Sequence, residues 1–175
     1  SVDDYFDSIQ KLKQEYSNDI TIYIGFEAEY IPELIDAQTD LLKDYPVDYM
    51  ILGQHFNSRE PSRGAGVPTE DEASLKKYVD LIIEGMETGK YQYVAHPDML
   101  NYVGPNEIYE YHMQRLCRYF KEKNLPVEIN MLGVMDNRHY PSERFLVIAE
   151  KIGNSAIIGV DAHLPESLEN IEMQN

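Results

Sequence analysis

The chain has 175 residues, of which 43% are hydrophobic and 26% are charged. This length suits one domain with a hydrophobic core and is short for two, so we expect a single domain over residues 1–175. The 31 acidic residues outnumber the 15 lysines and arginines and give a net charge of −16. Because this charge repels polyanions, nucleic acid is not an expected partner.

The sequence also bears on membranes and on the cellular compartment. No apolar run approaches the roughly 18 residues that a membrane-spanning helix needs, so no membrane partner is expected. The opening residues, Ser1 to Asp4, contain neither a basic head nor an apolar stretch, and we predict no signal peptide. The single cysteine, Cys117, cannot form an internal disulfide. This favours a reducing compartment, and we expect the cytoplasm.

The first half of the chain is predicted to begin with an amphipathic helix, because apolar residues recur at helical spacing over residues 2–16. A β-branched and aromatic run at 20–24 predicts a buried strand. A helix over residues 32–43 and a second strand at 47–52 follow. The long polar loop from 53 to 66 is interpreted as a candidate substrate lid.

The second half continues the alternation of helices and strands. Residues Thr69 to Glu72 have the pattern of a capping box, so we expect a helix from there to residue 87. Further strands are predicted at 91–95, 126–130 and 156–160, separated by helices that begin after Pro105 and at Pro141. Such alternation indicates parallel βαβ units and favours a (β/α) barrel. A complete eight-stranded barrel takes about 250 residues, so the inferred barrel is incomplete.

Side chains of the metal-ligand type follow four of the five predicted strands. In a parallel barrel these strand ends converge on one face, so the side chains should share a site. Imidazole and carboxylate donors together suit zinc, manganese or iron, and a carboxylate can bridge two ions. Bound cations would also let an acidic protein hold a phosphate. The predicted metal ligands are Glu27, His55, His96, Asp161 and His163.

Asp161 and His163 form the most specific local pattern. They lie two residues apart at a predicted strand end, and alternate residues of an extended strand point the same way. Both side chains are therefore expected to reach one site.

Other polar residues near these strand ends keep alternative interpretations. Glu29 would share the face of Glu27 and is an alternative ligand. Either Glu128 or Asn130 should face the pocket, as a group that hydrogen-bonds to a ligand. His112 falls within a predicted helix and is interpreted as a structural or surface histidine.

Three residues in the loops are candidates for substrate binding: Arg63, Arg138 and His139. A guanidinium group donates two parallel hydrogen bonds to a phosphate, which suits Arg63 and Arg138 to this role. A solvated loop charge is the alternative for each arginine.

Five short segments lie at the strand ends: GFEAEY at 25–30, GQHF at 53–56, AHPD at 95–98, EIN at 128–130 and GVDAH at 159–163. In this order they resemble the later motifs of histidinol phosphatases of the PHP (polymerase and histidinol phosphatase) family. The resemblance covers nearly the whole chain. It implies a distorted, TIM-like (β/α)7 barrel.

The resemblance also implies an activity, a cofactor and residue roles. Members of this family hydrolyse the phosphate monoester L-histidinol phosphate to L-histidinol and phosphate in histidine biosynthesis, with two or three zinc, manganese or iron ions. By motif position, Glu27 would bridge metals, His55 and His96 would ligate them, and Asp161 and His163 would complete the set. Catalytic roles are thereby expected for Glu27, Asp161 and His163.

One part of the family pattern does not occur in this sequence. Family members carry an H-x-H motif near the N-terminus and further ligands before the glutamate. We therefore expect the first barrel strands to be absent from the chain, with fewer metal ions bound and activity reduced or lost. Two alternatives stay open: a PHP phosphoesterase for another phosphomonoester or a nucleotide, and a non-catalytic fragment that retains the fold.

Overall fold

The computed structural model describes residues 1–57 and 64–169, which adopt an α/β fold. Five parallel strands form one sheet in the order of the sequence. The strands are β1 (Gly25–Ala28), β2 (Tyr49–Gly53), β3 (Val94–Ala95), β4 (Val127–Asn130) and β5 (Ala156–Gly159). Each strand pairs in parallel with its successor. The predicted parallel βαβ units are confirmed.

Helices connect the strands. They are α1 (Val2–Glu15), α2 (Ile35–Leu42) after a 3-10 turn at Pro32–Leu34, α3 (Glu72–Glu87), α4 (Asn106–Glu122), α5 (Met131–Met135), α6 (Glu143–Ile152) and α7 (Glu166–Glu169). Gly153 ends α6 with a φ of 77°, a backbone conformation that glycine adopts without steric cost. Within the described ranges, no helix is both long and apolar enough to cross a membrane.

The hydrophobic core lies between the sheet and helices α3, α4 and α6. Leu52, Val94 and Val127 occupy paired positions on β2, β3 and β4 and are all buried. Cys117 on α4 packs in the same core. Burial raises the pKa of its thiol to about 12. The residue therefore has little thiolate character and acts as a small apolar side chain.

The first strand begins later than the sequence predicted. Residues 20–24 lie outside β1, and Ile20 and Tyr23 are 59% and 66% exposed. Ile24 is anchored at both backbone groups, because its N–H donates to Asp48 Oδ2 at 2.7 Å and its carbonyl accepts from the Asp48 N–H at 2.8 Å. The predicted strand was expected to run on into residues 25–27, and β1 lies there, but its assignment to 20–24 is wrong. Of residues 20–24 only Ile24 is fully buried, because β-propensity does not by itself supply a surface that buries the other side chains.

The starts of two other elements also differ from the expectation. Asp71 rather than Thr69 caps α3, since the Asp71 carboxylate accepts the N–H groups of Ala73 and Ser74. The loop expected after β4 begins with the short helix α5, where the side chain of Asn130 accepts from Gly133 N at 2.9 Å. In both places a side-chain oxygen satisfies N–H groups at a helix start.

The helix cap can be tested by comparing three neighbouring alanine substitutions. Asp71→Ala removes the acceptor for two N–H groups of α3 and should lower the urea midpoint of unfolding. Thr69→Ala should lower it less, and Glu70→Ala, which removes no cap acceptor, should leave it nearly unchanged. A larger fall in the urea midpoint for Thr69→Ala than for Asp71→Ala would show that the capping box predicted from the sequence is correct.

Candidate metal centre

Three ligand-type side chains converge at the carboxyl ends of three neighbouring strands. Glu27 lies on β1, His55 follows β2 and His96 follows β3. One ligand atom from each lies within 4.8 Å of the others. His96 Nε2 is 2.9 Å from Glu27 Oε1, and His55 Nε2 is 3.5 Å from the same oxygen. These three residues form the metal-ligand group.

Glu27 fits into this position because glycine stands beside it on the next strand. A Cβ atom at Gly53 would overlap the Glu27 carboxylate. Burial acts to raise the pKa of Glu27, but the hydrogen bond with His96 and the charges of His96, His55 and His163 outweigh it and lower the pKa. The carboxyl group is therefore ionised at neutral pH and available to a cation.

Glu29 holds His55 in place. Its Oε1 accepts the N–H groups of His55 at 2.7 Å and Phe56 at 2.6 Å, while Oε2 lies 3.1 Å from His55 Nδ1. This hydrogen bond is the main reason that the pKa of His55 is raised. When the ring is neutral, a carboxylate at this position favours the Nδ1–H tautomer. The Nε2 lone pair then faces Glu27.

His96 is enclosed on all sides. The residue is 2% exposed and has a φ of 34°. Its backbone N–H donates to Glu128 Oε2 at 2.6 Å. Asn130 Nδ2 donates to the same oxygen and to Asp161 Oδ2, each at 3.1 Å. The sequence predicted that one of Glu128 and Asn130 would face the pocket. Neither is among the residues that line the cavity, and both instead hydrogen-bond from behind it to residues that do.

The metal-ligand group lines a cavity of 470 Å³. Asp161 and His163 line it as well. Among the described residues they lie outside the three-residue group of closest ligand atoms. The expectation that they point the same way assumed an extended strand. That assumption is wrong, because β5 ends at Gly159 and Asp161 has a φ of 53°. Asp161 turns to Asn130, while the His163 side chain is 71% exposed at the rim.

The loop before α6 contributes Arg138 and Tyr140 to the cavity. Arg138 donates to Asp136 Oδ2 at 2.9 Å and to the Tyr140 hydroxyl at 2.9 Å, so the guanidinium group is held at both ends. Tyr140 was not predicted as a site residue. The only sign of its role in the sequence was its position close to Arg138.

The other two substrate-binding candidates differ from Arg138. His139 Nε2 lies 2.6 Å from the carbonyl oxygen of Met99. Among the described residues that line the cavity, Arg138 is present and His139 is not. Arg63 falls outside the residues that the structure describes.

The donor set fits a divalent cation. It joins one ionised carboxylate and two imidazoles, a combination that suits zinc, manganese or iron. Glu27, His55 and His96 would hold such an ion, and the 470 Å³ cavity leaves room beside it for a small molecule.

Comparison with known families places this chain. Residues 1–131 match the PHP domain family. The chain belongs to this family. A PHP relative from Schizosaccharomyces pombe, named "Probable histidinol-phosphatase", is 37% identical over 60 residues, which are 34% of this chain and 20% of that protein.

Two solved structures have the fold of this PHP domain. The candidate histidinol phosphatase hisK from Listeria monocytogenes has a TM-score of 0.73 at 19% identity, over 97% of this chain and 74% of that one. Histidinol phosphate phosphatase (HISK) from Lactococcus lactis, complexed with zinc, L-histidinol and phosphate, has a TM-score of 0.65 at 18% identity. That match covers 91% of this chain and 65% of the Lactococcus chain.

The contacts between Glu29 and His55 can be tested in the metal-free protein. In Glu29→Gln the amide oxygen still accepts the backbone N–H groups, and the amide nitrogen then faces His55 Nδ1. The neutral ring should therefore change from the Nδ1–H to the Nε2–H tautomer, and zinc affinity should fall by roughly 10- to 100-fold.

Ring ¹⁵N chemical shifts, recorded where the imidazoles are neutral, report the tautomer directly. The His96 ring in the same spectrum is the internal control and should keep its tautomer. An unchanged His55 tautomer in Glu29→Gln would show that Glu29 does not control this ring.

Proposed function

We propose that this PHP domain hydrolyses a small phosphate monoester at a metal centre held by Glu27, His55 and His96, with Asp161 and His163 completing the ligand set. The observation that carries the proposal is the convergence of three donor atoms within 4.8 Å beside the cavity that Arg138 lines. The preferred substrate is L-histidinol phosphate, which is hydrolysed to L-histidinol and phosphate. The names of the three relatives support this choice.

The proposal extends to the fold and the setting of the domain. Residues 1–175 form a single PHP-type domain, and its five parallel strands belong to a distorted (β/α)7 barrel. The similarity to two solved structures over more than nine-tenths of this chain supports the barrel. The lone buried cysteine supports a reducing, cytoplasmic setting.

The site residues have different roles in the proposed hydrolysis. When bound, two or three zinc, manganese or iron ions would neutralise the phosphate oxygens and lower the pKa of a water molecule for attack on phosphorus. Glu27 supplies ionised oxygens to the site, and Glu29 keeps His55 Nε2 directed at it. Arg138, held by Asp136 and Tyr140, donates hydrogen bonds to the phosphate.

Proton delivery to the leaving alkoxide falls to the rim of the cavity. His163 is exposed there, and its Nδ1 lies 2.9 Å from the Asp161 carbonyl oxygen. Asp161 is held at its other end by Asn130. The Asp161 carboxylate is therefore held close to the metal-ligand group, where it or a bound water would relay a proton to the leaving alkoxide.

Replacing His96 tests whether its ring binds a metal ion or only supports the structure. His96→Ala should remove most of the bound metal and reduce phosphatase turnover by at least about 100-fold, because one of three close donors is lost. His112→Gln is the matched control, since His112 is equally buried but lies on α4 away from the cavity. Metal analysis and turnover should match the wild type in the control. Normal metal content in His96→Ala would contradict the assignment.

Replacing Arg138 tests the phosphate contact. Arg138→Ala should raise the KM for L-histidinol phosphate by about 10- to 100-fold, which is the effect of losing a hydrogen bond to a charged group. Arg138→Lys should recover only part of this loss, because an ammonium group lacks the planar fork. The control is Arg118→Ala on α4, outside the cavity. An unchanged KM in both Arg138 variants would place the phosphate elsewhere.

A substrate panel separates the proposed activity from its alternatives. The metal-loaded chain should hydrolyse L-histidinol phosphate faster than a nucleoside monophosphate or an aryl phosphate. Preference for either of the others would identify a PHP phosphoesterase of different specificity. Hydrolysis of none of the three by the metal-loaded chain would favour the non-catalytic alternative.

A further inference from the structure

Two of the ligand-type residues have a left-handed backbone. The non-glycine residues with positive φ among those described are His96 at 34°, Asp161 at 53°, Asn124 and Asn137. Such a conformation is uncommon for residues other than glycine and persists where the surrounding structure holds it. Something must therefore hold His96 and Asp161, and the contacts of both lead to the same strand.

That strand is β4, through the side chains of Glu128 and Asn130. The buried Glu128 carboxylate accepts the His96 N–H at 2.6 Å and Asn130 Nδ2 at 3.1 Å on one oxygen, Oε2. Asn130 Nδ2 also donates to Asp161 Oδ2 at 3.1 Å. A continuous chain of hydrogen bonds thus runs from the His96 backbone through Glu128 and Asn130 to the Asp161 side chain.

We propose that Glu128, acting with Asn130, is a positioning residue that fixes the geometry of His96 and Asp161 at the metal centre. This inference rests on the proposed function, because it concerns the ligands of the same site. A hydrogen bond from a backbone N–H to a buried carboxylate is strong, and its loss leaves that N–H without an acceptor. His96 would then no longer be held at the φ that directs its ring to Glu27.

Gly159 provides an independent way to disturb Glu128. It pairs with Asn130 across β4 and β5, and a Cβ atom there would overlap the Glu128 carboxylate. The φ of Gly159 is not among the positive values, so alanine is tolerated by its backbone. Gly159→Ala therefore displaces the carboxylate without removing it. In Glu128→Ala the three atoms nearest to the added methyl group, which all belong to the Glu128 side chain, are absent.

The test is a double-mutant cycle on the full chain with two readouts. Zinc affinity, measured by competition with a chelator, should fall by roughly 10- to 100-fold in Glu128→Ala and in Gly159→Ala. The double variant should be no weaker than Glu128→Ala alone, since both changes remove the same contact. In the metal-free chain, the His96 amide should exchange its hydrogen faster in all three variants than in the wild type.

Two controls separate positioning from a general loss of stability. Glu128→Gln keeps an oxygen acceptor for the His96 N–H and should retain zinc affinity close to the wild-type value. Val127→Ala, the neighbouring core position on the same strand, should lower the unfolding midpoint and leave zinc affinity and His96 exchange unchanged.

Several results would overturn the inference. They are wild-type zinc affinity in Glu128→Ala, additive losses in the double variant, an equal loss of affinity in Val127→Ala, and a wild-type chain that binds no zinc. A wild-type chain that shows the expected zinc and exchange pattern but hydrolyses no phosphomonoester would defeat the proposed function and leave the positioning role intact.

Discussion

The carboxylate of Glu27 contacts the rings of His55 and His96. Glu27 lies on β1, and His55 follows the neighbouring strand β2. The Glu27 side chain is 31% exposed, so it loses part of its hydration and needs partners to offset that loss. His96 Nε2 is one partner, the His55 ring is a second when it is protonated, and Gly53 leaves the space that the carboxylate occupies. The arrangement that stabilises this charge is therefore also the donor set that suits a metal ion.

Around this contact lies a second set of carboxylates whose oxygens accept backbone N–H groups. Glu29 accepts two N–H groups after β2, Glu128 accepts that of His96, and Asp98 accepts that of Ser142 at 2.7 Å. The last bond joins the segment after His96 to the start of α6. The segments that begin at His55, at His96 and before α6 are thus each tied to a neighbouring strand or loop, which orients their side chains before any ligand enters.

Much of this arrangement could be predicted from the sequence, because it depends on local pattern. Alternating helical and apolar segments gave the parallel sheet, and the strand ends identified Glu27, His55 and His96 as neighbours. The misplaced strand at 20–24 shows the limit of β-propensity, since burial depends on which surfaces the rest of the chain supplies. The orientation of Asp161 was beyond the pattern, because a left-handed residue interrupts the alternation of a strand.

The outer hydrogen bonds were the least accessible to sequence reasoning. Glu128 and Asn130 are two residues apart on β4, and the sequence indicated a pocket-facing role for only one of them. Their partners, the His96 N–H and the Asp161 carboxylate, come from other parts of the chain. Such contacts depend on the register of β4 with β3 and β5, which no local motif specifies.

The most direct test of a metal centre at this position is a zinc titration of the chelator-treated chain, followed by the ring signals of its histidines in NMR spectra. We predict that the signals of His55 and His96 change together and saturate, while that of His112 on α4 stays constant. Unchanged signals from His55 and His96 at saturating zinc would contradict the account, because the convergence of these two rings on Glu27 would then have no part in binding a metal.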